Sequence, residues 1–267
     1  MSSNYDASNW DAGAVEAGVA GTRFAGKVTH LATTGSTNTL AIEAAQAGAP
    51  EGSVWVADEQ TAGRGRGGHG WHSAAGDGLY VSVLLRPRMA LAEALWLSLA
   101  TGLAVQTAVY EVTGALPDIR WPNDMILNGK KFGGILAETS ASAEALRYAV
   151  VGIGLNVQHA GFPSELREIA TSLRLATGQE WSREAVLAGL LRALDREVEL
   201  LEEDSAGLLE RFAEASSWVR GKPVRVGEED GYTGVTAGLD ARGFLRVRAD
   251  DGTLRTVLSG GVRPRSI

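Results

Sequence analysis

Residues 60–71 read Gln60-Thr-Ala-Gly-Arg-Gly-Arg-Gly-Gly-His-Gly-Trp71, placing two arginines, five glycines and one tryptophan within residues 63–71. Glycine costs helix and strand stability and frees the backbone to take positive φ, so the run reads as a mobile loop. Arg64 and Arg66 carry permanent charges on planar donor forks suited to carboxylate or phosphate. A cationic loop ending in a large aromatic suggests a flap closing over an anion that carries a flat group. Three further segments offer polar chemistry beside expected strands or helices. These are Ser36-Thr37-Asn38, Trp121-Pro-Asn-Asp124 followed by Lys130-Lys131 and Gly133-Gly134, and Gly152-Ile-Gly-Leu-Asn156.

Each segment also has an ordinary structural use. Ser36 or Thr37 can cap the helix that follows, and the same turn can present two hydroxyls and an amide to a ligand. Lys131 enters an apolar strand after a tight turn, where a lysine either snorkels to solvent or holds an anion. Asn156 closes a Gly-x-Gly strand, a place for close ligand approach and equally for a turn-forming asparagine. Trp121-Pro122 suits packing, which leaves Asn123 and Asp124 as the informative members of their motif.

Several chemistries are excluded. Gly63–Gly68 matches G-x-G-x-x-G in letters, but the dinucleotide fingerprint needs a helix directly after the glycines, and residues 69–78 read as loop. Gly21–Lys27 nearly matches a phosphate loop, yet Val28 stands where a Ser or Thr would hold magnesium. The four histidines show no ligand spacing, and with no cysteine there is no thiolate metal site, disulfide or cysteine nucleophile.

The elements that must position these residues read as follows. Strands are expected over 27–32, 53–57, 79–85, 119–121, 124–127, 132–138 and 148–157, with a hairpin turn at Asn128-Gly129. Helices are expected over 38–47, 91–112 and 182–202, the last with Leu187, Leu190, Leu191, Leu194, Val198 and Leu201 on one stripe. After Trp218 the composition changes to short β-rich runs, 223–226, 233–239, 244–248 and 254–258, separated by glycine turns. Helices and strands segregate, so the fold class is α+β, with a main unit over 27–220 and a small β-barrel over 221–267. Residues 1–26 are polar and rich in small side chains, and read as a partly disordered, dispensable segment without the basic start and apolar core of a signal peptide.

At 267 residues, 45% hydrophobic and a net charge of −7, the chain suits a globular protein and disfavours nucleic acid as a main partner. The apolar stretch 89–112 carries Glu93, Gln106 and Glu111 and reads as a buried helix rather than a membrane span. The absence of cysteine fits a cytoplasmic location.

In their order along the chain, these four segments resemble the biotin–protein ligase family over about residues 28–267. The resemblance implies a mixed-sheet catalytic domain of the biotin/lipoate ligase type with an SH3-like C-terminal barrel. It implies that biotin is activated with ATP to biotinyl-5′-AMP, with magnesium, and then transferred to a lysine of a biotin carboxyl carrier domain. No tightly bound prosthetic group is implied. Ser36, Thr37, Asn38, Gln60, Arg64, Gly65, Arg66, Lys131 and Gly134 match biotin contacts, and Arg66, Trp71, Asn123 and Asn156 match nucleotide contacts. Arg66 and Lys131 match the catalytic cations, and Asp124 a neighbour of magnesium. Gly67 and His69 depart from the basic residues many members carry there, which implies a weaker hold on the adenylate. With only about 26 residues ahead of the catalytic unit, no DNA-binding domain is expected, and a monomer or weak homodimer without membrane contact is. The alternatives are a lipoate or octanoate ligase or transferase of the same superfamily and a non-catalytic biotin-binding sensor.

Overall fold

The computed structural model describes residues 10–142, 145–203, 205–227, 231–258 and 260–265. In chain order the helices are α1 (Ala12–Gly18), α2 (Thr37–Gln46), α3 (Ala94–Thr113), α4 (Leu173–Thr177), α5 (Arg183–Glu203) and α6 (Ser205–Ala215). The first strands are β1 (Val28–Thr34), β2 (Val54–Gln60), β3 (Gly78–Leu85), β4 (Asp118–Arg120), β5 (Asp124–Leu127), β6 (Lys130–Ala141) and β7 (Leu146–Asn156). They form a seven-stranded sheet in the order β1-β2-β3-β7-β6-β5-β4. Only β1 and β2 pair in parallel, so the sheet is mixed.

Alternation along the central strands sorts the chain into two layers. Leu79, Val81, Val83 and Leu85 of β3, with Ala149, Val151, Ile153 and Leu155 of β7, enter the main core, where α3 and α5 supply Leu97, Leu99, Leu103, Leu187, Leu190, Leu191 and Leu194. On the other face α2 lays Ala41 and Ala45 against Trp55, Leu84 and Val150. Tyr80 and Ser82 of β3 pair with Gly154 and Gly152 of β7, which in turn pair with Gly134 and Leu136 of β6. Every position of β3 is buried because both faces are covered. The expected stripe on α5 is buried from Leu187 to Leu201. The span Leu91–Thr113, long and apolar enough to cross a membrane, is here packed into the core, its first turn a 3₁₀ turn over Leu91–Glu93.

A second sheet holds β8 (Arg220–Val226), β9 (Tyr232–Leu239), β10 (Leu245–Ala249), β11 (Leu254–Val257) and β12 (Val262–Pro264), all antiparallel in the order β11-β10-β9-β8-β12. Helices and sheets are thus segregated as expected for α+β. Helices α1, α4 and α6 and strand β12 escaped the sequence reading.

The N-terminal segment needs correction. The expected disorder of residues 1–9 lies outside the described residues. From Trp10 onward the segment is structured: Val15, Val19 and Phe24 are buried in the main core. Helix α1 is capped by Asp11, which accepts from Ala14 N at 2.9 Å, and packs on α5, where Arg192 donates to Gly18 O at 2.7 Å. Arg23 Nε adds a 2.6 Å bond to Asp195 of α5. A short, alanine- and glycine-rich helix has weak intrinsic stability, and its burial against α5 holds it.

Candidate active site

The pocket lies on the α2 face of the large sheet, and alternation in the strands builds its floor. Gly134 of β6 and Gly152 and Gly154 of β7 leave the backbone bare there, and the two on β7 are glycine for want of space. A Cβ on Gly154 would lie 2.5 Å from Trp71 Nε1, and one on Gly152 would lie 2.2 Å from Asn38 Oδ1. At Gly134 it would come within 3.2 Å of Trp71 Cζ3 and 3.3 Å of Lys131 Nζ. The unfilled space is about 460 Å³ including its open mouth.

One wall is the first turn of α2. Ser36 takes the N-cap place with extended backbone, but its side chain makes no capping bond. Thr37 spends its backbone N–H and hydroxyl on Gln60 Oε1, at 2.9 and 3.1 Å, and Gln60 Nε2 donates to Ser73 Oγ at 3.0 Å. Asn38 donates through Nδ2 to Glu138 Oε2 at 2.8 Å and to Leu136 O at 3.3 Å, and accepts from Ser82 Oγ at 2.5 Å. Ser82 Oγ also lies 2.8 Å from Thr37 Oγ1. Ser36, Thr37, Asn38 and Ser82 are all buried, and the polar chain satisfies groups that would otherwise be costly to bury.

The opposite wall carries the cations. Lys131 Nζ lies 2.5 Å from Asp124 Oδ1, and Arg120 donates to Asp124 Oδ2 through Nη2 at 2.6 Å and Nε at 3.1 Å. Burial pushes the Asp124 carboxyl up, but Lys131 and Arg120 together outweigh it and hold it below the usual carboxylate range. The Lys131 backbone is fixed from the other side, its N–H donating to Ile169 O and its carbonyl accepting from Thr171 N, both at 2.9 Å. Asn123 Nδ2 donates to Ile135 O at 2.7 Å.

The glycine–arginine loop lies over the pocket. Gly65 N donates to His69 O at 2.7 Å and Trp71 N to Gly63 O at 2.9 Å, a tight turn in which Gly67 takes φ 66°. An L-residue pays roughly 1–2 kcal/mol for such a conformation, a backbone reason for glycine at 67. Arg66 Nη1 donates at 3.2 Å both to Asn123 Oδ1 and to Gly260 O, tying the loop to the connection that precedes β12. Burial lowers the Arg66 pKa, against the pull of Asp124. Arg64 forms a two-pronged pair with Glu138, Nη1 to Oε1 at 3.1 Å and Nη2 to Oε2 at 2.8 Å. Trp71 lies against Gly134 and Gly154 with Lys131 Nζ 5.3 Å from its ring centre, and its indole N–H has no partner among the described residues.

Of the residues singled out from sequence, Ser36, Thr37, Asn38, Gln60, Arg64, Gly65, Arg66, Trp71, Asn123, Lys131 and Gly134 line one pocket. Asn156 stands apart from that lining: it is buried and donates to Thr171 O at 3.0 Å, bracing the segment that fixes Lys131. Asp124 sits behind Lys131, engaged by two cations. Sequence reasoning missed Ser82 and Glu138. A lone serine in the apolar run Leu79–Leu85 was a readable signal, since a buried hydroxyl needs partners; Glu138 carried none.

Residues 31–156 match the Biotin/lipoate A/B protein ligase family, and residues 220–262 match the Biotin protein ligase C terminal domain. The chain is 36% identical to the biotin–[acetyl-CoA-carboxylase] ligase of Mycobacterium tuberculosis over 239 residues, which cover 86% of each. It is 37% identical to the bifunctional ligase/repressor BirA of Bacillus subtilis over 220 residues, 81% of this chain and 68% of that protein. Among solved structures it resembles the biotin protein ligase of Aquifex aeolicus in complex with biotin and ATP, with a TM-score of 0.76 and 30% identity, covering 89% of this chain and 98% of that one. With the pocket and the second sheet in place, these likenesses show that the chain belongs to the biotin–protein ligase family.

Proposed function

We propose that this protein activates biotin with ATP to biotinyl-5′-AMP and transfers the biotinyl group to one lysine of a biotin carboxyl carrier domain. The observation that carries the reading is the meeting of Lys131 with Arg66 of the glycine–arginine loop above a floor of bare glycine backbone. In the first step a biotin carboxylate oxygen attacks the α-phosphorus of ATP and pyrophosphate leaves. In the second the carrier lysine's neutral amine attacks the acyl carbon, losing a proton, and AMP leaves. The first step needs charge control, because an anion must approach a polyanion. Lys131 and Arg66 supply positive charge on the wall that carries Asp124 and Asn123, and no covalent intermediate on the protein is required.

Ser36, Thr37, Asn38, Gln60, Gly65 and Gly134 form the biotin end of the pocket in this reading, and Trp71, over Gly134 and Gly154, borders the nucleotide end. Asn123 stands at the nucleotide end beside Arg66. Asn156 supports that end through Thr171. No group of three or more His, Cys, Asp or Glu capable of caging a metal occurs among the described residues. Magnesium brought in on ATP would be held chiefly by the phosphate oxygens, with Asp124, beside Lys131, as the carboxylate nearest to it. There the ion would screen phosphate charge. The division into a catalytic unit over 27–220 and a C-terminal unit over 221–267, a cytoplasmic location, and a monomer or weak homodimer belong to the same reading.

Biotin-dependent exchange of pyrophosphate into ATP tests the first step, and labelling of a carrier domain tests the second. Exchange supported by octanoate or lipoate and not by biotin would transfer the assignment to the acyl ligases. Biotin binding without exchange would make the protein a sensor.

A further inference from the structure

Glu138 lies on the pocket side of β6, and nothing assigned above to biotin, nucleotide or metal uses it. Its carboxylate adds a tie between the tip of the loop and the start of α2, which among the described residues are otherwise joined only at the base of the loop through Gln60 and Ala62. Both oxygens take the Arg64 fork, at 3.1 and 2.8 Å, and Oε2 also accepts from Asn38 Nδ2 at 2.8 Å. One side chain thus ties the glycine-rich loop to the first turn of α2. The loop needs such a tie, because five glycines in nine residues cannot hold one conformation without partners. Bidentate pairing fixes orientation as well as distance. It also spends the charge of Arg64, since a guanidinium already facing a carboxylate offsets little of an incoming polyanion.

We propose that Glu138 is a positioning residue for the ligation site. It latches the loop over the pocket through Arg64, and it orients the Asn38 amide. Arg64 then anchors the loop, leaving Arg66 and Lys131 as the cations that face substrate. The inference rests on the ligase reading for its kinetic consequence, but the latch itself is a property of the ligand-free protein.

A double-mutant cycle tests it with Arg64→Gln, Glu138→Gln and the pair together, followed by biotin-dependent pyrophosphate exchange and by amide hydrogen exchange over residues 63–71. Each single change is expected to raise KM for biotin about tenfold, more than it lowers kcat, with the double variant little worse than either, a coupling within the range of contacting pairs. Amide exchange in 63–71 should speed up equally in both singles. Glu138→Asp keeps the charge but shortens the reach, and should behave like Glu138→Gln. Gln at 138 can still accept from Asn38, so the fold is not at stake.

Multiplicative effects, with Arg64→Gln costing far more in kcat than Glu138→Gln, would mean that Arg64 leaves the carboxylate to contact substrate, and would overturn the latch. So would unchanged amide exchange in Glu138→Gln. A parent protein without biotin-dependent exchange would sink the ligase reading instead, and the amide-exchange arm would still decide the latch.

Discussion

Asp124 holds the Lys131 ammonium at 2.5 Å through one carboxylate oxygen while its other oxygen takes two donors from Arg120. Two cations thus share one anion, leaving a surplus positive charge at the wall of the pocket. Arg66, bonded to Asn123, adds further positive charge on the same side. The site is therefore already set to attract an anion, with Lys131 held in place by Asp124. Preorganised charge of this kind needs no rearrangement while the reaction proceeds.

Lys131→Ala is expected to lower biotin-dependent pyrophosphate exchange by roughly 10²–10³-fold, the usual cost of losing a donor to developing charge. Asp124→Asn should do less damage, about tenfold to a hundredfold, because Lys131 keeps its charge and loses only its anchor. Steady-state exchange kinetics compare the two. An Asp124→Asn variant as impaired as Lys131→Ala would mean that the carboxylate itself meets the substrate's metal or phosphates.

Gly152→Ala and Gly154→Ala probe the floor separately. Alanine at 152 must displace the Asn38 amide, and alanine at 154 must move the Trp71 indole. Overpacking costs typically about 1–3 kcal/mol. Gly152→Ala should weaken biotin binding through Asn38, and Gly154→Ala should alter the fluorescence of Trp71 and weaken retention of the adenylate. Titration calorimetry with biotin, with biotinyl-AMP release followed by displacement, reads both. Normal affinity in Gly152→Ala would separate Asn38 from biotin recognition.

The pocket was legible because its parts are short local motifs, each carrying polar or glycine residues where an apolar element was expected. Lys131 beside Gly133-Gly134, and Arg64 and Arg66 among glycines, declare themselves in the chain. Partners were less legible than positions. Ser82 and Glu138 meet Asn38 only because β3, β7 and β6 lie side by side, a pairing between residues 44 to 100 positions apart. Asn156 reads as a ligand group beside two glycines, yet the folded chain spends its amide on Thr171. Helix α1 was hidden for the opposite reason: seven residues with glycines at 13 and 18 are too short to hold a helix alone, and its stability comes from α5, far along the chain.

Removing residues 1–20 should therefore destabilise the protein, contrary to the expectation from sequence. It deletes Val15 and Val19, both buried, and each is worth about 1.5–3 kcal/mol. Trp10, stacked on His30 at 4.4 Å, goes as well. Thermal melts of the full chain and the truncated form should differ by several degrees at least. Removing residues 1–9 alone spares these contacts and serves as the control. Equal melting of the full chain and the 1–20 deletion would show that α1 contributes nothing to the core.

The segment behind Lys131 carries a built-in sensitivity to acid. His159 is buried, stacked on Phe162 at 4.9 Å, with the His72 ring at 5.6 Å, and its carbonyl accepts from Ser172 Oγ. Burial, then the charge of His72, lower its pKa from 6.5 to about 4, against the pull of the Asp77 backbone. The unfolded chain therefore binds this proton more tightly than the folded one. Stability is fully present above about pH 6.5 and falls as the pH drops from there to about 4, where the folded imidazole also protonates. At 1.36 kcal/mol per pKa unit, the loss by pH 4.5 is roughly 2–3 kcal/mol from this residue. Urea unfolding at pH 7 and 4.5 should show that loss in the parent and a smaller one in His159→Phe, which keeps the stack on Phe162 without a titrating group. An identical acid loss in both proteins would assign the sensitivity to other groups. Ser172 and Thr171 link this histidine to Asn156 and to the backbone of Lys131, so the biotin affinity of the folded parent should hold while its stability falls and respond to His159 only near pH 4, where the folded imidazole itself protonates.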